Sequence, residues 1–133
     1  MLDRIKSVLP QVLPKLGIEE FSVTQVEAQI TASNDGDFFH AHCDDGDARV
    51  AQRRLTFVYF FHREPRRFEG GELRIYGPGV EGDHDTGTYQ SIVPQQNQIV
   101  FFPCSALHEI TPVECPSKLF ADSRFTLNGW LHK

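Results

Sequence analysis

The sequence predicts an all-β barrel or double-sheet sandwich with one helical segment packed against its outside. Three observations carry this expectation. The helical period vanishes after Gly17, the apolar runs beyond it are strand-sized and rich in β-branched and aromatic residues, and turn clusters punctuate them throughout. With 133 residues the chain has the length of one domain. Residues 1–17 are read as the helical segment and 22–131 as the β core.

In the opening segment Leu2, Ile5, Leu9, Val12, Leu13 and Leu16 recur every three or four positions, which suits an amphipathic helix. Pro10 and Pro14 interrupt that pattern, so it reads as one short helix or two irregular turns, ended by Gly17. Val26–Ile30 then alternates with period two. Leu55–Phe61, Glu72–Tyr76, Ile99–Phe102, Leu107–Thr111 and Arg124–Leu131 read as further strands. Turns fall at Ser33–Gly36, Asp45–Asp47, Gly70–Gly71, Gly77–Gly79 and Gln95–Asn97. Trp130, Phe57, Phe101 and Phe102 read as barrel packing, and His62, His84 and His132 as solvated. Arg63, Arg66 and Arg67 read as a solvated turn, and Gly77–Tyr89 as a long irregular connection that is either a lid or surface.

Composition excludes several classes of function. Hydrophobic residues make up 40% of the chain and aromatic residues 11%, enough for a core and against disorder. Thirteen Lys and Arg against 18 Asp and Glu leave a net charge of -5, the wrong sign for a nucleic-acid or anionic-membrane partner. No apolar run approaches the ~20 residues of a membrane span. Asp3 breaks the first residues, so no signal peptide is expected and the expected location is the cytoplasm. Cys43, Cys104 and Cys115 are odd in number and widely spaced, which reads as three reduced thiols.

The chemistry begins at Phe38-Phe39-His40-Ala41-His42-Cys43-Asp44. In extended chain, residues two apart face the same way, so His42 and Asp44, or His40 and His42, can share a target. Imidazole and carboxylate both coordinate first-row metals. Far along the chain, His108 sits between apolar Leu107 and Ile110, next to a tight connection. Alone it is an ordinary histidine. Joined to His42 and Asp44 it completes two imidazoles and a carboxylate, a set that holds ferrous iron and leaves positions open for oxygen and a chelating co-substrate. On the last strand Arg124 and Thr126 share a face. A guanidinium inside a barrel requires an anion, and its fork matches a carboxylate. A dicarboxylate is the natural occupant.

These residues, in this order, resemble the iron(II)/2-oxoglutarate-dependent dioxygenases of the prolyl 4-hydroxylase type, including their bacterial members. The resemblance runs from residue 26 to 131. It takes in Gly36–Phe39 before His42-x-Asp44, the strand Arg54–Phe60, Gly70-Gly71-Glu72-Leu73-Arg74, Ile92–Pro94, Ile99–Pro103 before His108, and Arg124-x-Thr126 with Gly129-Trp130. It implies a double-stranded β-helix, or jelly roll. It also implies Fe(II) on His42, Asp44 and His108, 2-oxoglutarate with its distal carboxylate on Arg124 and Thr126, O2 as oxidant, and ascorbate as reductant. Oxidative decarboxylation to succinate and CO2 would drive hydroxylation of an aliphatic C–H. The carboxylate of Asp44 favours hydroxylation over halogenation, for which halide takes that coordination position.

Members of the family often place tyrosine hydroxyls near the co-substrate; here those neighbourhoods hold Ser33 and Phe60, with Tyr59 one residue away as the expected substitute. The implied substrate is a prolyl residue of a protein, another side chain or a small molecule. The short N-terminal segment leaves room for self-association into a homodimer. The competing readings are a cupin and a non-catalytic metal-binding jelly roll. A cupin would use His40 and His42 but wants a glutamate where Gly46 and Asp47 stand, and a glycine where Cys104–Leu107 stands.

Overall fold

The computed structural model describes residues 1–77 and 88–133. Ile5, Leu9 and Leu13, four apart, are buried on one face of a single helix, α1 (Leu2–Lys15). Pro10 and Pro14 lie inside it without ending it. Pro10 is exposed, so the helix loses a hydrogen bond there, while the apolar stripe on the other face still packs against the sheet. The stripe outweighs the local penalty.

Ten strands follow among the described residues: β1 (Gln25–Ser33), β2 (Phe39–His42), β3 (Arg53–Phe61), β4 (Glu69–Gly70), β5 (Leu73–Tyr76), β6 (Tyr89–Ile92), β7 (Gln98–Pro103), β8 (His108–Ile110), β9 (Val113–Glu114) and β10 (Arg124–His132). One antiparallel sheet has the order β1-β10-β3-β7, a second has β2-β8-β5-β6, and β4 pairs with β9. Apart from β5 and β6, neighbours in each sheet come from distant parts of the sequence, as the expected jelly roll requires. The expected strands are present. The four that the sequence did not reveal are short or polar: β2, β4, β6 and β9 contain two to four residues each.

The large sheet has two unlike faces. Leu55, Phe57 and Leu131 point outward and bury themselves under Ile5, Leu9 and Leu13 of α1. On the inward face Val58, Phe60 and Phe102 meet Leu73 and Ile75 of the second sheet. Close packing on the outward face fixes Gly129, the cross-strand partner of Phe57: a Cβ there would lie 2.0 Å from Phe57 Cζ. The lid-or-surface segment anticipated at Gly77–Tyr89 lies largely outside the described residues, as does His84.

Candidate metal centre

The sheets converge on three side chains. His42 ends β2 and His108 begins β8, and the antiparallel register makes them direct cross-strand partners. Their rings stand 4.3 Å apart between centroids. Asp44 follows β2 and crosses towards the large sheet, where its backbone N–H donates to the Cys104 carbonyl at 2.9 Å. One ligand atom from each of His42, Asp44 and His108 falls within 4.8 Å of the others. Nε2 of His42 is 3.3 Å from Asp44 Oδ1, and Nε2 of His108 is 3.5 Å from the same oxygen.

Surrounding groups aim these atoms. His42 Nδ1 pairs with the His40 carbonyl at 2.8 Å and His108 Nδ1 with the Ala106 carbonyl at 2.9 Å. A carbonyl can only accept, so each Nδ1 carries a proton, and each Nε2 presents its lone pair to the centre once its ring is neutral. Thr56 Oγ1 donates to Asp44 Oδ2 at 2.7 Å, which leaves Oδ1 facing the imidazoles. His40 is exposed and serves through its backbone, so the His40–His42 pairing of the cupin reading is not the one the fold builds.

The electrostatics favour a cation. Burial acts to raise the Asp44 carboxyl, but the hydrogen bond from His42, the charge of His108, and the hydroxyl of Thr56 and indole of Trp130 together hold it at about 2. His42 also feels burial pushing down; its bonds to Asp44 and the His40 carbonyl, with the Asp44 charge, outweigh that and raise it. His108 is lowered, because burial dominates the opposing pull of Asp44. An ionised aspartate and a neutral His108 are therefore ready for a metal at neutral pH. The neighbouring Cys104 thiol is not: burial lifts it to about 12.

Next to the centre lies a cavity of about 400 Å³ lined by all three residues and by Thr56, Phe102, Arg124, Thr126 and Trp130. Arg124 is 3% exposed. Its Nε donates to the Gly71 carbonyl at 2.7 Å, its guanidinium carbon sits 5.2 Å from the Phe60 ring centre, and its Nη2 is buried with no partner. Burial lowers it to about 10. Gly71 makes this placement possible, since a Cβ there would come within 2.6 Å of Arg124 Cδ, and its φ of +62° already favours glycine. Thr126 faces the cavity beside Arg124, as strand alternation requires.

Tyr59 is a correction. Alternation places Phe60 inward beneath Arg124 and turns Tyr59 to the outer face, where its hydroxyl donates to Asn97 Oδ1 at 2.7 Å. It cannot reach the cavity. His132 is buried rather than solvated and pairs through Nε2 with Glu27. Arg63, read as part of a solvated turn, pairs with Asp122 at 3.1 Å. Trp130, read as packing, lines the cavity under the guanidinium of Arg53, which lies 4.2 Å from its ring centre. Arg53 also forks onto Glu27 at 3.0 and 2.8 Å and donates to the Asp44 carbonyl at 3.1 Å. The sequence did not reveal the roles of Thr56 and Arg53, nor that Gly71, read there as a turn, makes room for Arg124. The one signal was Thr56, a polar residue inside the apolar run Leu55–Phe61.

Residues 28–132 match the family model of the 2OG-Fe(II) oxygenase superfamily. The chain belongs to that superfamily. It is 44% identical to an uncharacterized PKHD-type hydroxylase of Synechocystis sp., over 98% of this chain and 44% of that protein. It is 30% identical to the prolyl 3-hydroxylase OGFOD1 of Xenopus laevis, over 65% of this chain and 16% of that protein. The chain thus spans less than half the length of these curated relatives. Among solved structures, a prolyl-4-hydroxylase of Pseudomonas putida superposes with a TM-score of 0.66 at 19% identity, over 99% of this chain and 62% of that one, and shares the fold.

Membership of a 2OG-Fe(II) oxygenase family implies Fe(II), 2-oxoglutarate and O2, and two features of the structure fit them. Two imidazole nitrogens and one carboxylate oxygen suit Fe(II). The buried, partly unpaired guanidinium of Arg124 opens onto the same cavity and suits a carboxylate. No helix among the described residues is long and apolar enough to cross a membrane.

Proposed function

We propose that this domain is an Fe(II)- and 2-oxoglutarate-dependent hydroxylase that places one oxygen atom on an aliphatic C–H of a prolyl residue in a polypeptide. One observation carries the reading: the His42, Asp44 and His108 donors and the unpaired Nη2 of Arg124 open onto one cavity. The prolyl substrate is supported by the relative named as a prolyl 3-hydroxylase. Ascorbate as reductant and a cytoplasmic location belong to the same proposal.

Each residue has a defined task. His42 and His108 would hold the metal through Nε2, and Asp44 through Oδ1, an anion that would partly neutralise it. Arg124 would receive the far carboxylate of 2-oxoglutarate, with Thr126 beside it. Fe(II) held there would supply the redox chemistry that couples decarboxylation of 2-oxoglutarate to oxygen insertion. Phe102, Val58, Leu73 and Ile110 line the cavity with apolar surface and keep bulk water from the reacting groups.

The test is succinate release from 2-oxoglutarate with Fe(II) and ascorbate across prolyl peptides, free proline and other amino acids, with mass spectrometry for a product one oxygen heavier. The wild type is expected to form succinate and a hydroxylated prolyl peptide, and Asp44→Ala neither. Normal turnover in Asp44→Ala would remove the proposed metal centre. Hydroxylation of free amino acids alone would remove the polypeptide substrate while leaving the oxygenase reading intact.

A further inference from the structure

The outer face of the large sheet is only half covered. Under α1 its residues are fully buried, as Leu55, Phe57 and Leu131 are. Beyond the helix the register sets Ile30, Tyr59 and Ile99 in one row, which Leu127 joins at the edge of the α1 cluster, with Ala32, Phe125 and Phe61 in the next. Phe61 stacks on Phe125 at 5.4 Å and Phe120 meets Phe125 edge-on at 5.3 Å. Ile30 is 70% exposed, Phe120 72% and Ile99 37%. An apolar band therefore crosses the whole sheet and faces water.

We propose that a second copy of this chain covers this band in a two-fold homodimer, sheet face against sheet face. Three features favour this occupant. The band leaves on the order of 600 Å² of surface in water, the top of the range that monomers expose in one patch and, doubled across two copies, the ~1,200 Å² at which standard interfaces begin. None of the row residues is charged, so two chains of net charge -5 can meet here without bringing like charges together. The band is also on the opposite side of the sheet from the cavity: Thr31, Thr126 and Val58, adjacent in sequence to Ile30, Phe125 and Tyr59, line that cavity. Docking by this face leaves the mouth of the site open. A flat face that pairs with itself is an isologous contact, which closes at two copies.

The experiment measures the mass of the 133-residue chain in solution by light scattering and sedimentation from about 1 to about 100 µM, a range that brackets micromolar association. The expected mass is twice 15.1 kDa. Phe120→Glu and Ile30→Glu are each expected to weaken association at least ~10-fold, with the circular dichroism spectrum and succinate release unchanged. Ile30→Thr, which keeps the β-branched shape, decides the matter where a charge on an edge strand disturbs folding. A wild type that stays at 15.1 kDa at the highest concentration overturns the proposal. So does a dimer equally tight in folded variants at both positions, or one abolished by changes at the cavity mouth instead. Mass is read without turnover, so this result stands apart from the hydroxylase reading.

Discussion

Replacing Arg124 by methionine separates the cost of a buried cation from its use. In the unliganded protein the guanidinium is held at about 10 against an ordinary 12.5, a desolvation cost of roughly 3 kcal/mol. That cost is fully present at neutral pH, below both values, and fades as pH rises through the folded one. Methionine removes it but also loses the charge-assisted hydrogen bond to the Gly71 carbonyl, worth about 1.5 to 3 kcal/mol, and the contact with the Phe60 ring, worth about 0.5 to 1 kcal/mol. The difference leaves Arg124→Met within about 1 kcal/mol of the wild type in urea titrations without ligand. Binding moves the other way. A charge-assisted pair with a carboxylate is worth about 1.5 to 3 kcal/mol, so 2-oxoglutarate affinity should fall roughly 10- to 150-fold by calorimetry, while metal affinity is retained. An unchanged 2-oxoglutarate dissociation constant, or a loss of several kcal/mol in the unliganded variant, would refute the assignment of this cationic pocket to the co-substrate.

Thr56→Val keeps shape and removes the hydrogen bond to Asp44 Oδ2; Fe(II) or Ni(II) affinity should fall about 10- to 100-fold in titration calorimetry, and the buried oxygen left without its partner should cost about 1–3 kcal/mol in urea. Gly129→Ala should cost about 1–3 kcal/mol in urea, because its Cβ would enter the Phe57 ring. Combining it with Phe57→Leu should recover part of that loss, and strictly additive costs would show that this contact is not the cause. Metal affinity should weaken as pH falls through the His42 value, which lies above 6.5, since a protonated imidazole cannot coordinate. Asp44 behaves differently in stability. Its folded value is depressed from 3.8 to about 2, so its contribution is complete above the first and disappears as pH falls to the second. Asp44→Asn should erase that stretch of the acid stability curve, and an identical curve would contradict the assignment.

Much of the fold was written in periodicity. Leu55–Phe61 and Arg124–Leu131 are long and apolar enough that only a buried strand suits them, and they form the centre of the large sheet. Their alternation also put Arg124 and Thr126 on one face. Short polar strands escaped, because β2 carries Phe39-His40-Ala41-His42, whose pairing comes from β8 and not from its own composition. Tyr59 was misplaced for a related reason: the family pattern offered a nearby hydroxyl, and the period-two rule, applied one residue further, turns it outward. The prolines of α1 misled in the same direction, since local propensity gave no weight to the sheet beneath Ile5, Leu9 and Leu13.

By itself the sequence determined which groups are candidates for the proposed chemistry: two imidazoles, an aspartate and an arginine, of kinds that suit a metal and a carboxylate, set on segments that must be extended. Only the tertiary structure decided their aim. Cross-strand register sets His42 against His108, Thr56 turns Asp44 so that one oxygen is presented, and Gly71 leaves space for the Arg124 side chain. It also decided which half of an apolar sheet face a single helix covers and which half stays in water. The physical reason is that residue type and local period depend on neighbours in the chain, whereas direction, burial and the pairing of a lone proton depend on groups brought together by folding from far along it.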